Sequence, residues 1–424
     1  MTASPHKGRG VGHVSELTTT KKLYIPYMCD HALALEAALH ALGTPAETLP
    51  PPDQETLDLG RELCLGRECL PLFVSTGDIL RRARGPDFDP AHSAYMMPTT
   101  CGPCRFGQYR TMERLLLDEA GLQELEIVSP NSENGYQGLG DHSLRLRRLA
   151  WQGIVGIDLL LKLCHEHRPY ERVPGETDRV YHACRRKLLD AIEAGGGRRA
   201  VEAMAWAGEQ FAAIDVDRGQ PRPWIGIVGE IYLRANPFTN QEIVRQVEAL
   251  GGQAWVAPMM EWFYFSLWGT QMRARQARNA GGWLKAILIE WVQRYDEARL
   301  LRPVRRLLTY AHETPIGKLM DHVRPYYHPA LGTEAPLSVG KAIDFFHHGL
   351  CGVLNILPFT CMPGLIVTGL AEAVRADHDC IPWLDVIYDA QGGTNIQTRL
   401  EAFMHQARQF QAREGKSRSI PSPT

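Results

Sequence analysis

From Lys21 onward, short apolar runs alternate with amphipathic stretches, and this alternation repeats along most of the chain. "KKLYIPYM" leads through Cys29 into the apolar "HALALEAALHALG", a predicted helix closed by glycine. "SAYMMPTT" leads through a C-x-x-C into "RFGQYRTMERLLLDEAG", and "EIVSPN" is a further short strand. The stretch from "LRLRRLAWQGIVGIDLLLKLCHEH" to "VEAMAWAGEQFAAI" is predominantly helical in its periodicity. The strand and helix alternation then resumes with "PWIGIVGEIY", the capped helix "TNQEIVRQVEALGG" and the strand "QAWVAPM". After more helix come "GVLNILPFTCMPG" with its helix, and "PWLDVIYDAQGGTN" with "QTRLEAFMHQARQF".

Strands alternating with helices predict parallel sheets. The expected class is therefore α/β, with two open parallel-sheet lobes of Rossmann or flavodoxin type joined by a helical segment. The boundaries expected are a disordered tail at 1–20, a first α/β lobe at 21–145, a helical segment at 146–220, a second α/β lobe at 221–412 and a tail at 413–424. One stretch, Gly349 to Ala371, lacks charge for long enough to resemble a membrane span, but Asn355, Pro358 and Pro363 divide it. A buried strand, a turn and a helix is the expectation there.

At 424 residues the chain exceeds one ordinary core, which agrees with two lobes. The net charge of -2, with Lys and Arg dispersed, gives no electrostatic case for nucleic acid or an anionic membrane as partner. The first residues contain no apolar signal-like run, so the expected location is the reducing cytoplasm, where disulfides are not expected.

Cysteines carry the chemical signal. Of ten, Cys29, Cys104 and Cys361 stand where an apolar run ends and a helix begins, and Cys69 lies in another Gly- and Pro-punctuated turn. In open α/β sheets ligands sit beyond the carboxyl ends of strands, which is where these turns fall. Cys64 and Cys101 are close by in sequence, whereas Cys164, Cys184, Cys351 and Cys380 have apolar contexts and read as small buried side chains. Unreactive core cysteines remain one reading. Zinc is a second, but its thiolates usually arrive as two close pairs, and only Cys101 and Cys104 form one. A thioredoxin-like pair is a third, and it leaves the other turn cysteines unexplained. An iron-sulfur cluster accounts best for thiols delivered from separate turns.

Seven segments, "YIPYMCDHALALEAALHALG", "GRECLPLFVSTGD", "MPTTCGPCRFGQY", "GIVGEIYLRANPF", "APMMEWFYF", "NILPFTCMPG" and "YDAQGGTNIQTRLEAFMHQ", together resemble the 2-hydroxyacyl-CoA dehydratase superfamily. Within it they are similar to the branch labelled acyl-CoA dehydratase activase-related proteins. The resemblance spans most of residues 22–410. It implies a low-potential, oxygen-sensitive 4Fe-4S cluster held between the lobes and reduced by a separate ATP-dependent activase of the actin-like ATPase type. In the dehydratases one electron passed to a 2-hydroxyacyl-CoA thioester forms a ketyl radical that expels the hydroxyl group. Carried over by position, Cys29, Cys69, Cys104 and Cys361 are the implied cluster ligands. Four thiolates imply a closed electron-transfer cluster, where a dehydratase with three leaves one iron open for substrate. Adding Cys64 and Cys101 gives enough thiols for a double-cubane cluster, the minority reading.

No G-x-x-x-x-G-K-[ST] occurs, and "DAQGGTN" is only loosely similar to a phosphate loop, so no intrinsic ATP site is expected. The expected role is an iron-sulfur redox component acting on an acyl-CoA-type substrate, either as a dehydratase-like lyase or as part of an ATP-coupled reductase. A dimer is an assembly this role would accommodate. The contrasting expectation is a non-catalytic zinc- or thiol-containing α/β binding protein. Glu230 and Glu261 each follow a β-like run and are candidate proton acceptors, with helix capping or salt bridging as the alternative. Asp389, Gln391, Gly392, Gly393, Thr394 and Asn395 form a turn suited to an anion such as a CoA phosphate, or simply a tight turn. Arg105, beside Cys104, is a candidate to balance cluster charge or dock a phosphate, or else an ordinary helix-start ion pair. "CHEH" at 164–167 lies in a helical run that points its histidines apart, which argues against a metal site.

Overall fold

Two apolar runs, Trp224–Gly229 and Gly352–Pro358, are buried along their whole length, as strands covered on both faces of a parallel sheet must be. They form the centre of the second of two sheets in the computed structural model, which describes residues 21–100, 102–130, 143–391 and 395–414. In chain order the first lobe contains β1 (Lys22–Ile25), α1 (His31–His40), β2 (Ala46–Thr48), α2 (Gln54–Leu63), α3 (Leu70–Ala83), β3 (Ser93–Met96), α4 (Tyr109–Glu119) and β4 (Glu126–Val128). Three helices follow: α5 (Ser143–His167), α6 (Glu176–Glu193) and α7 (Arg198–Ala212). Next come β5 (Trp224–Gly229), α8 (Ile231–Ala235), α9 (Ile243–Ala249) and β6 (Gln253–Val256). Four helices separate β6 from the next strand: α10 (Met259–Gln276), α11 (Ala280–Leu301), α12 (Ile316–Val323) and α13 (Ala335–His347). The chain closes with β7 (Gly352–Pro358), α14 (Met362–Asp377), β8 (Trp383–Tyr388) and α15 (Ile396–Glu414).

Both sheets are four-stranded and parallel throughout, in the orders β2-β1-β3-β4 and β6-β5-β7-β8. Each sheet thus grows from its middle, first to one side and then to the other. The strand order reverses between β1 and β3, and again between β5 and β7. Such reversals open a crevice at the carboxyl ends of the central strands. The turns leaving those four strands carry Cys29, Cys104, Glu230 and Cys361, in that order.

The lobes are not independent bodies, because Leu57, Phe73 and Leu116 of the first share one apolar cluster with Trp224, Ile227 and Phe345 of the second. Asn236, just after α8, donates through Nδ2 to the carbonyls of Tyr27 (3.2 Å) and Met28 (2.9 Å), fastening the Cys29 turn to the second lobe. Helices α2 and α3 pack so tightly that a Cβ on Gly77 would lie 1.8 Å from the Thr56 carbonyl oxygen. That contact fixes the α2–α3 turn, and with it Cys69.

The uncharged stretch at 349–371 forms β7, a turn and α14, and among the described residues no helix is long and apolar enough to cross a membrane. Strand β2 was not expected. Cys164, Cys184 and Cys351 are buried, but Cys380 is exposed on the turn after α14, where a left-handed backbone carries it outward.

Candidate functional site

Three of the four turn cysteines are helix N-caps that converge. Cys69 caps α3, Cys104 caps the single turn of 3-10 helix at Arg105–Gln108 that leads into α4, and Cys361 caps α14. Pro71 and Pro363 stand in the first turns of α3 and α14, where a missing N–H costs nothing. The thiols are close enough that Cys69 acts electrostatically on both Cys104 and Cys361, and Glu230 acts on all three. Helix N-termini present unpaired N–H groups and a positive dipole end, so this corner is built to receive negative charge.

Arg105 ties the three turns together. Its Nη1 donates to the Arg67 carbonyl (2.8 Å), two residues before Cys69, and its Nη2 donates to the Thr360 carbonyl (2.6 Å) and hydroxyl (2.8 Å), one residue before Cys361. Thr360 holds φ at 62°, a left-handed conformation that a β-branched residue rarely adopts.

Two carboxyl groups face the thiols. Glu230 caps α8, accepting from the N–H groups of Tyr232 (3.1 Å) and Leu233 (2.9 Å), and with Glu334 and Cys361 it lines a crevice of about 10 Å³. Burial raises the Glu230 carboxyl, opposed by those amides. Burial also pushes Glu334 up to about 8, with Arg234 pulling it down and Glu230 adding to the rise. The thiols respond in kind. Burial lifts Cys69 against the pull of Arg105 and Tyr109, raises Cys104 to about 11, and lifts Cys361 beyond the ordinary thiol range.

Buried thiols of this kind shed their protons readily only to a metal. Three soft donors on three helix N-termini fit an iron-sulfur cluster, whose thiolates bind different irons and need a wider ring than one ion does. Among the described residues no three His, Cys, Asp or Glu side chains stand close enough to hold a single metal ion.

Cys29, on the turn after β1, has a contact of its own. Its thiol lies 3.1 Å from His31 Nδ1, and His31 Nε2 lies 2.9 Å from Asp158 Oδ1. Asp158 is itself fixed, accepting the backbone N–H groups of Met259 (3.0 Å) and Met260 (2.8 Å) at the start of α10. Burial opposes charging of His31, yet Cys29 and Asp158 together raise it well above the usual imidazole value. This relay lines a cavity of about 340 Å³ between α5, α6 and the second lobe.

The remaining candidates are dispersed. Cys64 ends α2 beside Thr76 and Glu113, where burial pushes it up to about 12. Cys101, Gly392, Gly393 and Thr394 lie outside the described residues; of their turn, Asp389 Oδ1 accepts the Gln391 N–H at 2.8 Å. Glu261 stands in the first turn of α10, 1% exposed, paired at 2.6 Å with Lys341. Lys341 also meets Glu313 (2.5 Å) and Asp344 (3.4 Å), and Lys162 holds Glu313 from the other side at 2.6 Å. Glu261 therefore belongs to a buried ion network. In "CHEH", His167 Nδ1 meets the Leu163 carbonyl and Glu166 accepts from Thr309, while His165 faces the cavity with its neutral form favoured by burial.

Sequence reasoning did not single out Glu334, Arg234 or Asp158. A lone carboxylate inside the apolar run "GIVGIDLLLKL" was the available signal for Asp158, since a buried charge requires partners. No family model matches this chain, and no curated protein matches it.

Proposed function

We propose that this protein is an iron-sulfur redox component of the 2-hydroxyacyl-CoA dehydratase type, with a 4Fe-4S cluster held by Cys69, Cys104 and Cys361. The observation that carries the reading is the convergence of three helix-capping thiols from both lobes on turns tied by Arg105. When bound, such a cluster supplies single electrons at low potential. The chain's own residues do the rest. The N-termini of α3 and α14 and the Arg105–Gln108 turn offset the thiolate charge. Arg105 holds the two lobes in register around the ligands. Glu334, whose carboxyl burial pushes up to about 8, would hold a proton beside Cys361, where a departing hydroxyl group of a 2-hydroxyacyl thioester needs one, and Glu230 lines the same crevice.

Cys29, the fourth ligand that the resemblance implies, has its thiol 3.1 Å from His31 Nδ1; with it the cluster would be closed, and without it one iron would lack a protein ligand. The three-thiolate arrangement would suit a cluster that meets substrate, the four-thiolate one a closed electron relay. A separate ATP-dependent activase supplies the electrons in this reading.

The test is iron and acid-labile sulfide per chain on protein purified without oxygen, with an EPR spectrum after dithionite. About four of each with a reducible signal supports the reading, and about eight supports a double cubane. Cys69→Ala, Cys104→Ala and Cys361→Ala should each lose the cluster. Zinc in place of iron, or no metal after anaerobic reconstitution, rejects it in favour of a zinc- or thiol-containing binding protein.

A further inference from the structure

Helices α10 and α11 form an antiparallel hairpin, tied where Tyr264 donates to Glu297 (2.6 Å) and Gln271 to Glu290 (2.7 Å). On α11, Leu284, Leu288, Trp291 and Tyr295 are 64%, 60%, 64% and 47% exposed. With the exposed Ala298 they recur at alternating intervals of four and three residues, so they share one face of the helix. The rings of Trp291 and Tyr295 stack there at 5.9 Å. Apolar side chains scattered singly over a surface are ordinary, but these four are aligned and together expose on the order of 400 Å², the size of patch that marks an interaction site.

The charges around this stripe are a second, independent observation. From Trp262 to Ile289 the sequence has no acidic residue, while Arg273, Arg275, Arg278 and Lys285 are exposed, in a chain whose net charge is -2. At helical spacing Arg294 borders the stripe on one side and Lys285 on the other. The acids that follow are engaged within the protein: Glu290 with Arg294 (2.7 Å) and Gln271, Asp296 with Arg148 (2.7 Å), and Glu297 with Tyr264. A narrow seam of this spacing fits the side chains of another helix, and the charges that flank such a seam select which helix it is. A second copy of α11 would set basic flanks against basic flanks. A lipid surface is met by a broader apolar face than this seam offers.

We propose that the outer face of α11 docks an amphipathic helix of a partner protein, whose apolar seam rests on Leu284, Leu288, Trp291 and Tyr295 and whose flanking carboxylates face Lys285 and Arg294. Trp291, at the centre of the stripe, is the anchor. No residue of this face belongs to the cysteine corner, so the inference is independent of the cluster.

The test uses the full-length protein and two synthetic three-heptad helical peptides with the same leucine seam, one flanked by glutamate and the other by lysine, followed by fluorescence anisotropy. The glutamate-flanked peptide is expected to bind about tenfold more tightly or better, and to weaken as salt is added. Trp291→Ala should weaken it by about tenfold or more, and Lys285→Glu combined with Arg294→Glu should reverse the preference between the peptides. These side chains are exposed, so the melting temperature is expected to hold, which separates lost docking from lost folding. Equal binding of the two peptides, or binding of neither, would overturn the proposal. So would a dimer in sedimentation velocity that Leu288→Glu dissociates, which gives the face to a second copy. Flotation with phosphatidylserine-containing vesicles that Trp291→Ala abolishes would overturn it in favour of a lipid surface.

Discussion

Arg105 donates through Nη2 to both the carbonyl and the hydroxyl oxygen of Thr360, joining residues 255 positions apart, each of them adjacent to a cysteine of the proposed cluster. A planar guanidinium can hold both these oxygens and the Arg67 carbonyl at once, whereas an ammonium cannot. Arg105→Lys should therefore behave more like Arg105→Ala than like the native chain. Both are expected to release iron faster under a chelator, with a loss of metal-free stability of about 1 kcal/mol because the side chain is exposed. Chelator-chase absorbance checks this, and iron retention in Arg105→Ala equal to that of the native protein contradicts it.

Thr360 stores strain that a glycine would release. A non-glycine residue in this backbone region costs on the order of 1–3 kcal/mol, and the two hydrogen bonds from Arg105 offset only part of that. Thr360→Gly keeps the carbonyl acceptor and loses the hydroxyl. Metal-free Thr360→Gly is expected to melt above the native protein, measured by differential scanning calorimetry, and a lower melting temperature would show the hydroxyl bond to be the larger effect.

Glu113 makes the stability pH-dependent. It is fully buried, accepts only the Ser75 hydroxyl at 2.8 Å, and burial pushes its carboxyl up to about 8. In the unfolded chain the same group ionises near pH 4.3. Between these values the native state binds the extra proton, so stability falls as pH rises, by up to about 1.4 kcal/mol per unit, and levels off above about 8. Glu113→Gln should flatten that slope. Urea unfolding at about pH 5.5 and about pH 8 on both proteins decides it, and parallel slopes would remove Glu113 as the cause.

The buried network around Lys341 is asymmetric. Glu313 is held between Lys162 and Lys341 and, although burial works against its charge, they lower its carboxyl to about 2. Burial drives Glu261 the other way, up to about 8, with Lys341 opposing the rise and Glu313 adding to it. Neutralising Glu261 therefore removes little, while neutralising Glu313 takes the ion-pair partner from Lys162 and one of three from Lys341. Glu313→Gln is expected to cost about 3–5 kcal/mol and Glu261→Gln about 1 kcal/mol or less, from chemical denaturation. Equal costs would show that the charge is shared evenly.

The frame of this molecule is legible in its sequence where burial imposes a continuous pattern. β5 is apolar throughout and β7 at every position but the buried Asn355, because both faces are covered, and their ends locate Glu230 and Cys361 without further information. β2 escapes such reading because "AET", three residues with one buried, carries no period. The turns of Cys29, Cys104 and Cys361 are legible for the same reason as the strands that precede them, whereas Cys69 sits between two helices. The direction of each thiol is not, because it depends on distant partners. Cys29 turns toward His31, and His31 is held by Asp158, 127 positions away on α5. Glu334 is hidden likewise: only the packing of α13 against β5 brings it beside Glu230.

Arg234 belongs to two places at once: its guanidinium meets the Gly229 carbonyl and Glu334 beside Cys361, and the residue also lines the cavity of about 340 Å³. Its charge pulls the Glu334 carboxyl down against burial and against Glu230. The proton at Glu334 is therefore governed by how α8 is seated: a shift that drew the guanidinium away would leave that carboxyl more firmly protonated, with nothing changed at Glu334 itself.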